Sequence, residues 1–163
     1  MDIRLTNIRS IEPDDNLQIA KIIRACLVEF GADQPGTAWE DPELDQLYQT
    51  YSDNASQYLV AISEGRILGG AGVAPLKGGK SGDCELQKMY LSNSARGLGV
   101  GALLIEKLIN WAKARGYQYC YLETLPNMIQ AHRLYEKQGF QLLNEPRGNT
   151  GHHQCGVYYG RPL

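Results

Sequence analysis

No long hydrophobic run occurs in this sequence, whereas a membrane-spanning helix needs about 18 or more consecutive apolar residues. The opening residues, MDIRLTNIRS, also lack the apolar stretch that is typical of a signal peptide. We therefore expect a protein that does not insert into membranes and that is located in the cytoplasm.

A strong excess of charge is also missing, because 16 Lys and Arg residues stand against 18 Asp and Glu residues and the net charge is −2. This balance argues against the extended basic surface that binds nucleic acid, so we expect no nucleic-acid partner. Acidic residues do gather at Glu29, Asp33, Glu40, Asp41, Glu43 and Asp45. We interpret them as solvated surface, with a preference for a cationic substrate as the alternative.

Cysteine motifs are absent as well, since the four cysteines are widely spaced and form no C-x-x-C pair. His152, His153 and Cys155 lie close together but do not have the spacing of a zinc ligand set. We expect free thiols in a reducing compartment and no bound metal.

The composition is that of a soluble globular protein, with 43% hydrophobic and 21% charged residues over 163 positions. One domain over residues 1–163 is the simplest expectation. Alternation of strands and helices in the second half favours a three-layer α/β domain around a mixed sheet.

Hydrophobic periodicity and turn residues predict the order of the elements. In chain order they are a first strand with Ile3, Leu5 and Ile8; a helix capped by Asp14 or Asp15 with Leu17, Ala20, Ile23, Leu27 and Phe30 on one face; a shorter helix from Asp41, with Leu44, Leu47, Tyr48 and Tyr51 on its face; a hairpin of strands 57–63 and 67–75; strands at 84–91 and 117–125; helices at 102–115 and 128–139; and two last strands, at 139–143 and within 153–160.

Two glycine-rich segments are candidates for phosphate binding. The first, APLKGGKS at 74–81, matches a permissive nucleotide-binding P-loop, but a P-loop must open a helix. Gly82-Asp83 and a run of β character follow it instead, which argues against a nucleotide-phosphate enzyme.

The second segment, Arg96-Gly97-Leu98-Gly99-Val100-Gly101, lies between a predicted strand and a long predicted helix. Its glycines let backbone N–H groups approach an anion, and the helix dipole adds favourable potential. Arg96 supplies a positive charge for a phosphate oxygen. The alternative is that the glycines serve only a tight turn between strand and helix.

Three correctly spaced blocks resemble the GNAT superfamily of N-acetyltransferases: RGLGVG at 96–101, CELQKMYL at 84–91 and AHRLYEKQGF at 131–140. The resemblance implies a mixed, mostly antiparallel sheet of about seven strands, splayed after the fourth and flanked by about four helices, with acetyl-CoA as acyl donor. It also implies the donor-binding residues, which are Met89, Tyr90 and Leu91 for pantetheine, Arg96, Gly97, Leu98, Gly99, Val100, Gly101 and Ala102 for pyrophosphate, and Tyr135. One departure is Met128, which stands where the family often has Asn.

Acetyl transfer to an amine needs a base, an oxyanion donor and an acid for the departing thiolate. Glu85 is the predicted base, directly or through a water; a structural or acceptor-binding carboxylate is the alternative. The backbone N–H of Met89 is the predicted oxyanion donor. Tyr135 is the predicted acid, because the family's matching tyrosine often points at the sulfur; a core aromatic is the alternative.

Weaker candidates are His152 and His153 as assisting groups and Cys155 as a covalent nucleophile. The acceptor is expected to be a primary amine of a small molecule or peptide. Aromatic walls for it are offered by Phe30, Trp39, Tyr48 and Tyr51, and a cation partner by Glu29, Asp33 or Glu40. A regulatory module that binds acetyl-CoA without turnover is the alternative function, and a homodimer is left open.

Overall fold

Seven strands form one sheet in a computed structural model that describes residues 6–152 and 155–163. The strands are β1 Asn7–Ser10, β2 Gln57–Ser63, β3 Arg66–Pro75, β4 Asp83–Leu91, β5 Tyr119–Thr124, β6 Gln141–Leu143 and β7 Val157–Pro162. The α-helices are α1 Asn16–Glu29, α2 Leu47–Thr50, α3 Val100–Ala114 and α4 Ile129–Lys137. Short 3-10 helices span Pro13–Asp15, Ala38–Glu40, Pro42–Asp45 and Asn93–Ala95.

The sheet runs in the order β1-β2-β3-β4-β5-β7-β6, and its one parallel pair among the described strands is β4 with β5. That pair is short: Asp83 lies opposite Tyr119 and Glu85 opposite Tyr121, and the pairing stops there. Because β4 continues to Leu91, the two strands diverge beyond Glu85 and open a cleft. This confirms the predicted splay after the fourth strand.

Helices cover both faces of the sheet, which makes the fold three-layered. Alternate residues of β2 show this: Leu59 and Ala61 belong to a core that contains the buried face of α3. Tyr58 and Val60 belong to a second core that contains Ile19, Ile23 and Leu27 of α1. The period of two along the strand therefore assigns each side chain to one helix layer.

Helix α1 buries Ile19, Ala20, Ile23, Cys26 and Leu27. Leu17 is 64% exposed, so its predicted place on the buried face was wrong. Asp15 precedes the helix but makes no side-chain cap, because its carboxylate accepts from the Arg9 guanidinium and from the Glu12 N–H.

The predicted second helix is broken into the 3-10 turn at 42–45 and the four-residue α2. Gln46 interrupts it with φ −136° and ψ 39°, outside the helical region. Leu44, Leu47 and Tyr51 are nevertheless buried as predicted, whereas Tyr48 is 37% exposed.

Strand β3 is rich in glycine where it lies against β2 and β4. A Cβ on Gly69 would overlap the carbonyl of Tyr90, and one on Gly70 would lie 2.6 Å from Leu59 O. A Cβ on Gly72 would lie 2.7 Å from the rings of Tyr51 and Tyr58. The space left by these missing side chains is filled by the rings of Tyr51 and Tyr58 and by the bulged backbone of β4.

The APLKGGKS segment ends β3 and turns through exposed residues 77–81 directly into β4. No helix follows it, so the P-loop interpretation fails in the structure as it does in the sequence. Ile3 and Leu5 of the predicted first strand lie outside the described residues. Within the described ranges no helix is both long and apolar enough to cross a bilayer.

Candidate active site

Glu85 lies at the last position where β4 pairs with β5, which is where the cleft begins. It is 6% exposed, and its Oε1 accepts a 2.6 Å hydrogen bond from Gln87 Nε2. Gln87 Oε1 in turn accepts from the Tyr51 hydroxyl at 2.6 Å, so the amide orientation is fixed. Burial, with the nearby charge of Glu123, raises the pKa of Glu85 to about 7.

A small cavity of about 60 Å³ lies beside Glu85. Its titratable lining residues are Glu85, Lys88, Tyr90, Glu123, His152 and Cys155. The remaining wall is partly apolar and includes Leu27 and Ala32. This volume admits an aminomethyl group or a water but not a large side chain.

Lys88 occupies a bulge in β4, where Gly70 pairs with Tyr90 but Gly72 pairs with Gln87. Its φ is 46°, in the left-handed region that costs free energy for a non-glycine residue. The Tyr58 hydroxyl holds the bulge by donating to the carbonyl of Lys88 at 2.9 Å. The bulge directs the Lys88 side chain inward, where it is 5% exposed.

An ion-pair cluster closes one side of the small cavity. Lys88 Nζ lies 2.8 Å from Asp41 Oδ2 and 3.2 Å from Glu43 Oε1, and His152 Nε2 lies 2.9 Å from Asp41 Oδ1. Burial by itself raises the pKa of Asp41, but the hydrogen bond from His152 and the charge of Lys88 outweigh burial, so the pKa of Asp41 is lowered. The same hydrogen bond raises the pKa of His152. His153 lies outside the described residues.

Glu123 on β5 is a site residue that the sequence did not reveal. Its Oε1 accepts from the Tyr121 and Thr150 hydroxyls, both at 2.8 Å. Its Oε2 is buried and has no hydrogen-bond partner among the described residues. Only the strand register shows that Glu123 belongs to the site. Tyr121 lies opposite Glu85, and Glu123 lies on the same face of β5 as Tyr121.

A large cavity of about 780 Å³ fills the cleft beyond Glu85. It is lined by the predicted residues Met89, Tyr90, Leu91, Arg96, Gly97, Gly99, Gly101, Ala102 and Tyr135. Leu98 and Val100 are not among its lining residues, because their side chains pack against the hydrophobic core. Tyr90 lines both cavities, so the two meet at this residue.

The glycine loop suits a diphosphate. Gly99 precedes α3 with φ 84°, and the first turn of α3 contains no acidic residue. A Cβ on Gly97 would meet nothing within 4 Å, so this position faces open space. Gly101 differs, since its Cβ would lie 2.8 Å from Leu134 and 3.0 Å from Met89, and it serves helix packing instead.

Arg96 does not direct its guanidinium into the glycine loop. Its two terminal nitrogens bind Glu29 of α1 at 2.6 and 2.8 Å, and its Nε donates to Leu91 O at 3.1 Å. Glu29, which the sequence offered as a cation partner for a substrate, is therefore occupied by Arg96.

Tyr135 on α4 is buried against Phe140, with ring centroids 6.1 Å apart. Its hydroxyl makes no hydrogen bond to any described residue, and the side chain lines the large cavity. Burial raises the pKa of Tyr135, so the hydroxyl keeps its proton at neutral pH. Tyr135 lines the large cavity and Glu85 the small one, so the two side chains are brought together only where the cavities meet, at Tyr90.

One face of α4 carries further residues that the sequence did not single out. Arg133 and Lys137, one helical turn apart, line the large cavity with Leu134. Met128 also lines it, and its sulfur accepts from the Thr124 hydroxyl at 3.6 Å. The neighbouring Asn127 uses its amide to hold the carbonyl of Phe30 at 3.0 Å.

The other weak candidates lose support. Burial raises the pKa of Cys155 to about 12, which disfavours the thiolate that a nucleophile needs. Trp39 and Tyr48 are partly exposed and do not line the small cavity. Within the described ranges no three His, Cys, Asp or Glu residues are grouped to hold a metal ion.

The splayed sheet and the glycine loop that opens α3 define an acetyltransferase of the GNAT class. The chain belongs to the acetyltransferase (GNAT) family, whose model matches residues 20–140. It is 41% identical over 157 residues to the uncharacterized N-acetyltransferase YjgM of Escherichia coli K12, covering 95% of this chain and 93% of that protein. The protein is therefore an enzyme of the N-acetyltransferase type.

Solved structures share the fold. A GNAT-family acetyltransferase from Staphylococcus aureus Mu50 matches with a TM-score of 0.82 at 22% identity, over 97% of this chain and 99% of that one. A phosphinothricin acetyltransferase from Sinorhizobium meliloti, crystallised with acetyl-CoA, matches with a TM-score of 0.76 at 22% identity, over 98% and 89% of the two chains.

Proposed function

We propose that this enzyme transfers the acetyl group of acetyl-CoA to a primary amine of a small molecule or peptide by direct attack in a ternary complex. The observation that carries the proposal is the position of Glu85, at the fork between β4 and β5, with a pKa near 7. The small cavity holds the acceptor nitrogen, and the large cavity holds the donor.

The residues of the large cavity fit acetyl-CoA, the donor used by the family. Beyond Glu85 the peptide groups of β4 that point toward β5 have lost their ladder partner, and they are available to the pantetheine amides near Met89 and Leu91. The N-terminus of α3 and the open space at Gly97 suit the pyrophosphate, because unpaired N–H groups and the helix dipole both favour an anion.

Glu85 would remove the proton from the acceptor ammonium, either directly or through a water. Its pKa of about 7 lies far above that of an ordinary glutamate, so its carboxylate is a useful base just above neutral pH. The N–H of Met89, just after the Lys88 bulge, would donate to the oxygen that becomes negative during transfer.

Tyr135 would supply the proton for the departing thiolate. Its hydroxyl is held protonated by burial and has no other partner among the described residues. No metal enters the proposed mechanism.

A regulatory module that binds acetyl-CoA without turnover is the second candidate function. A module of this kind has no use for a buried carboxylate with a raised pKa at the end of the donor cleft. The cost of burying Glu85 beside Glu123 therefore favours catalysis.

The test has two stages on the purified chain. Calorimetric titration with acetyl-CoA, CoA and ATP is expected to show micromolar-range binding of the first two and none of ATP. Thiol release is then measured over a panel of amines, amino-acid derivatives and peptide N-termini. Binding without release from any amine would favour the regulatory module, and absence of acetyl-CoA binding would reject the proposal.

A further inference from the structure

The side chain of Arg96 uses most of its hydrogen-bonding capacity inside the protein. Of the five N–H donors of a guanidinium, four have partners: two on the Glu29 carboxylate, one on Cys26 Sγ at 3.4 Å and one on Leu91 O. The guanidinium also lies over the Phe30 ring, 5.3 Å from its centroid. A bidentate pair with a carboxylate fixes the orientation of the guanidinium as well as stabilising it.

These contacts join three elements at one point. Leu91 ends β4, Arg96 begins the glycine loop, and Glu29 lies in the last turn of α1. Cys26 contributes a second link, since its thiol donates to the same Leu91 carbonyl at 3.3 Å. We call this set, formed by Cys26, Glu29, Phe30, Leu91 and Arg96, the α1 clasp.

The last turn of α1 is the wall between the two cavities. Cys26, Glu29 and Phe30 line the large cavity. Leu27 and Ala32 line the small one. Asn127 holds the same turn from the other side of the cleft through the carbonyl of Phe30. The turn therefore bridges both arms of the fork, with Arg96 as its attachment to β4.

We propose that Arg96 is a positioning residue that fixes this wall, and that it is not a ligand of the donor's phosphates. This role of Arg96 rests on the proposed function, because the wall matters for transfer only if the two cavities hold donor and acceptor. When the clasp is broken, the end of α1 and the residues after it shift, the small cavity loses its shape, and the acceptor nitrogen is no longer held in line with the thioester.

The clasp contributes little to global stability, because Glu29 is 44% exposed and ion pairs at such exposed positions add little. The phosphate-ligand and clasp hypotheses therefore differ in catalysis and in local order. Under the phosphate hypothesis, Glu29 competes with the donor for Arg96, so its removal should leave affinity unchanged or improve it. Under the clasp hypothesis, Glu29 and Arg96 are equivalent partners.

The experiment compares Glu29→Gln, Arg96→Gln, the double variant and the exchanged pair Glu29→Arg with Arg96→Glu. Glu106→Gln and Lys107→Gln on the exposed face of α3 are the matched charge controls. Rates are measured with acetyl-CoA and with S-acetylpantetheine, which carries no phosphate.

We expect both single variants to raise KM for the amine and to lower kcat/KM about tenfold with either donor. The double variant should be no worse than either single one. The exchanged pair should recover part of the loss with S-acetylpantetheine, because it restores the pair between positions 29 and 96 but not the contacts of Arg96 with Leu91 O and Cys26 Sγ. A loss in Arg96→Gln that disappears with S-acetylpantetheine, together with normal activity of Glu29→Gln, would overturn the proposal and make Arg96 a phosphate ligand.

Hydrogen exchange gives a readout that does not depend on turnover. The amides of Phe30 and Ala32 are bonded to Cys26 O and Leu27 O at the end of α1. Their exchange should accelerate about tenfold in both single variants and return in part in the exchanged pair. Unchanged exchange in both would refute the clasp independently of any turnover, whereas absence of acetyl-CoA binding by the unmodified chain would reject only the proposed function.

Discussion

The two cavities that meet at Tyr90 are built from different materials. The large one combines backbone, at the diverging end of β4, the glycine loop and the N-terminus of α3, with side chains at the end of α1 and along α4. The small one is formed by side chains, with Glu85, Lys88, Glu123 and His152 in about 60 Å³. Peptide groups suit one constant ligand, so under the proposed function we expect acceptor specificity to be set mainly in the small cavity.

The charges of the small cavity change the pKa values of Glu85 and His152, which lie near neutral pH, whereas the Arg96–Glu29 pair of the large cavity stays charged there. Glu123 raises the pKa of Glu85, and Asp41 raises the pKa of His152. We therefore expect substitutions in the small cavity to change pH profiles, and substitutions in the large cavity to change donor affinity with the pH profile intact.

The largest expected effect belongs to Glu85→Gln, which keeps an oxygen for the Gln87 amide but removes the base. kcat/KM should fall about 10³-fold at pH 8. The activity of the unmodified protein should rise with pH through about 7, as Glu85 loses its proton, and the variant should lack this rise. A pH–rate profile checks both. An unchanged profile in Glu85→Gln would assign the base to another group, with Glu123 the next to substitute.

Tyr135→Phe should lower kcat about 10²-fold and leave acetyl-CoA binding intact, because the ring still packs against Phe140. Tyr159→Phe is the matched control, since it removes a neighbouring tyrosine hydroxyl that is bonded to Glu136 instead. An acyl donor with a more acidic thiol should restore the rate of Tyr135→Phe. Equal losses with both donors would leave Tyr135 a packing residue.

The glycines of the large cavity should separate into two kinds. Gly97→Val directs its side chain into open space and should weaken acetyl-CoA binding about 10²-fold, the loss of one or two charge-assisted hydrogen bonds. Its φ of 74° is unfavourable for valine, so a lower Tm is expected as well, and the affinity is the deciding measurement. Gly101→Val instead meets Leu134 and Met89 and should lower Tm by an overpacking cost of about 1–3 kcal/mol. Calorimetry and thermal melts of both distinguish these outcomes, and normal affinity in Gly97→Val would remove the loop from the donor site.

A smaller effect is expected for the Arg133→Gln and Lys137→Gln double variant. Both side chains line the large cavity, so their removal should weaken acetyl-CoA about tenfold at low salt and flatten the salt dependence. S-acetylpantetheine should be unaffected. Lys107→Gln with Lys113→Gln on α3 controls for net charge. A similar loss with the phosphate-free donor would show that the two side chains do not act on the phosphates.

The smallest effect concerns stability. The pKa of Glu85 is raised from 4.5 to about 7 in the folded state, so its neutral form favours folding. The contribution is complete below pH about 4.5 and is lost as pH rises through about 7. Glu85→Gln should therefore be more stable than the unmodified protein at pH 8, by on the order of 2 kcal/mol, and not at pH 4. Denaturant titrations at both values check the sign.

Much of the architecture could be predicted from local pattern. The β2–β3 hairpin and α3 are long and strongly periodic, and their bounds differ from the predicted ones by two residues or fewer. Leu17 was misplaced because an apolar residue at helical spacing need not face the core. The second helix was overpredicted, since a cap and a proline at Asp41-Pro42 mark a start but do not set how far a helix runs.

The site was predictable where it follows the chain and unpredictable where it depends on tertiary pairing. The glycine loop and Tyr135 lie in contiguous blocks, and the structure brings both to the large cavity. The Lys88–Asp41 pair requires a bulge with positive φ, and residue type does not predict such a bulge. The partner of Arg96 is 67 residues away, and Glu123 became visible only through the register of β4 and β5.

The glycine-rich segment of β3 has a consequence for how this protein tolerates mutation. Gly69, Gly70 and Gly72 look replaceable, since they contribute no side chain to the core. Each nevertheless marks a place where another group occupies the space of the missing Cβ: a carbonyl of β4, or the rings of Tyr51 and Tyr58. The Tyr58 ring that fills this space also carries the hydroxyl that holds the bulge and so directs Lys88 inward. In a saturation library these three positions should rank among the least tolerant of the sheet, even to alanine.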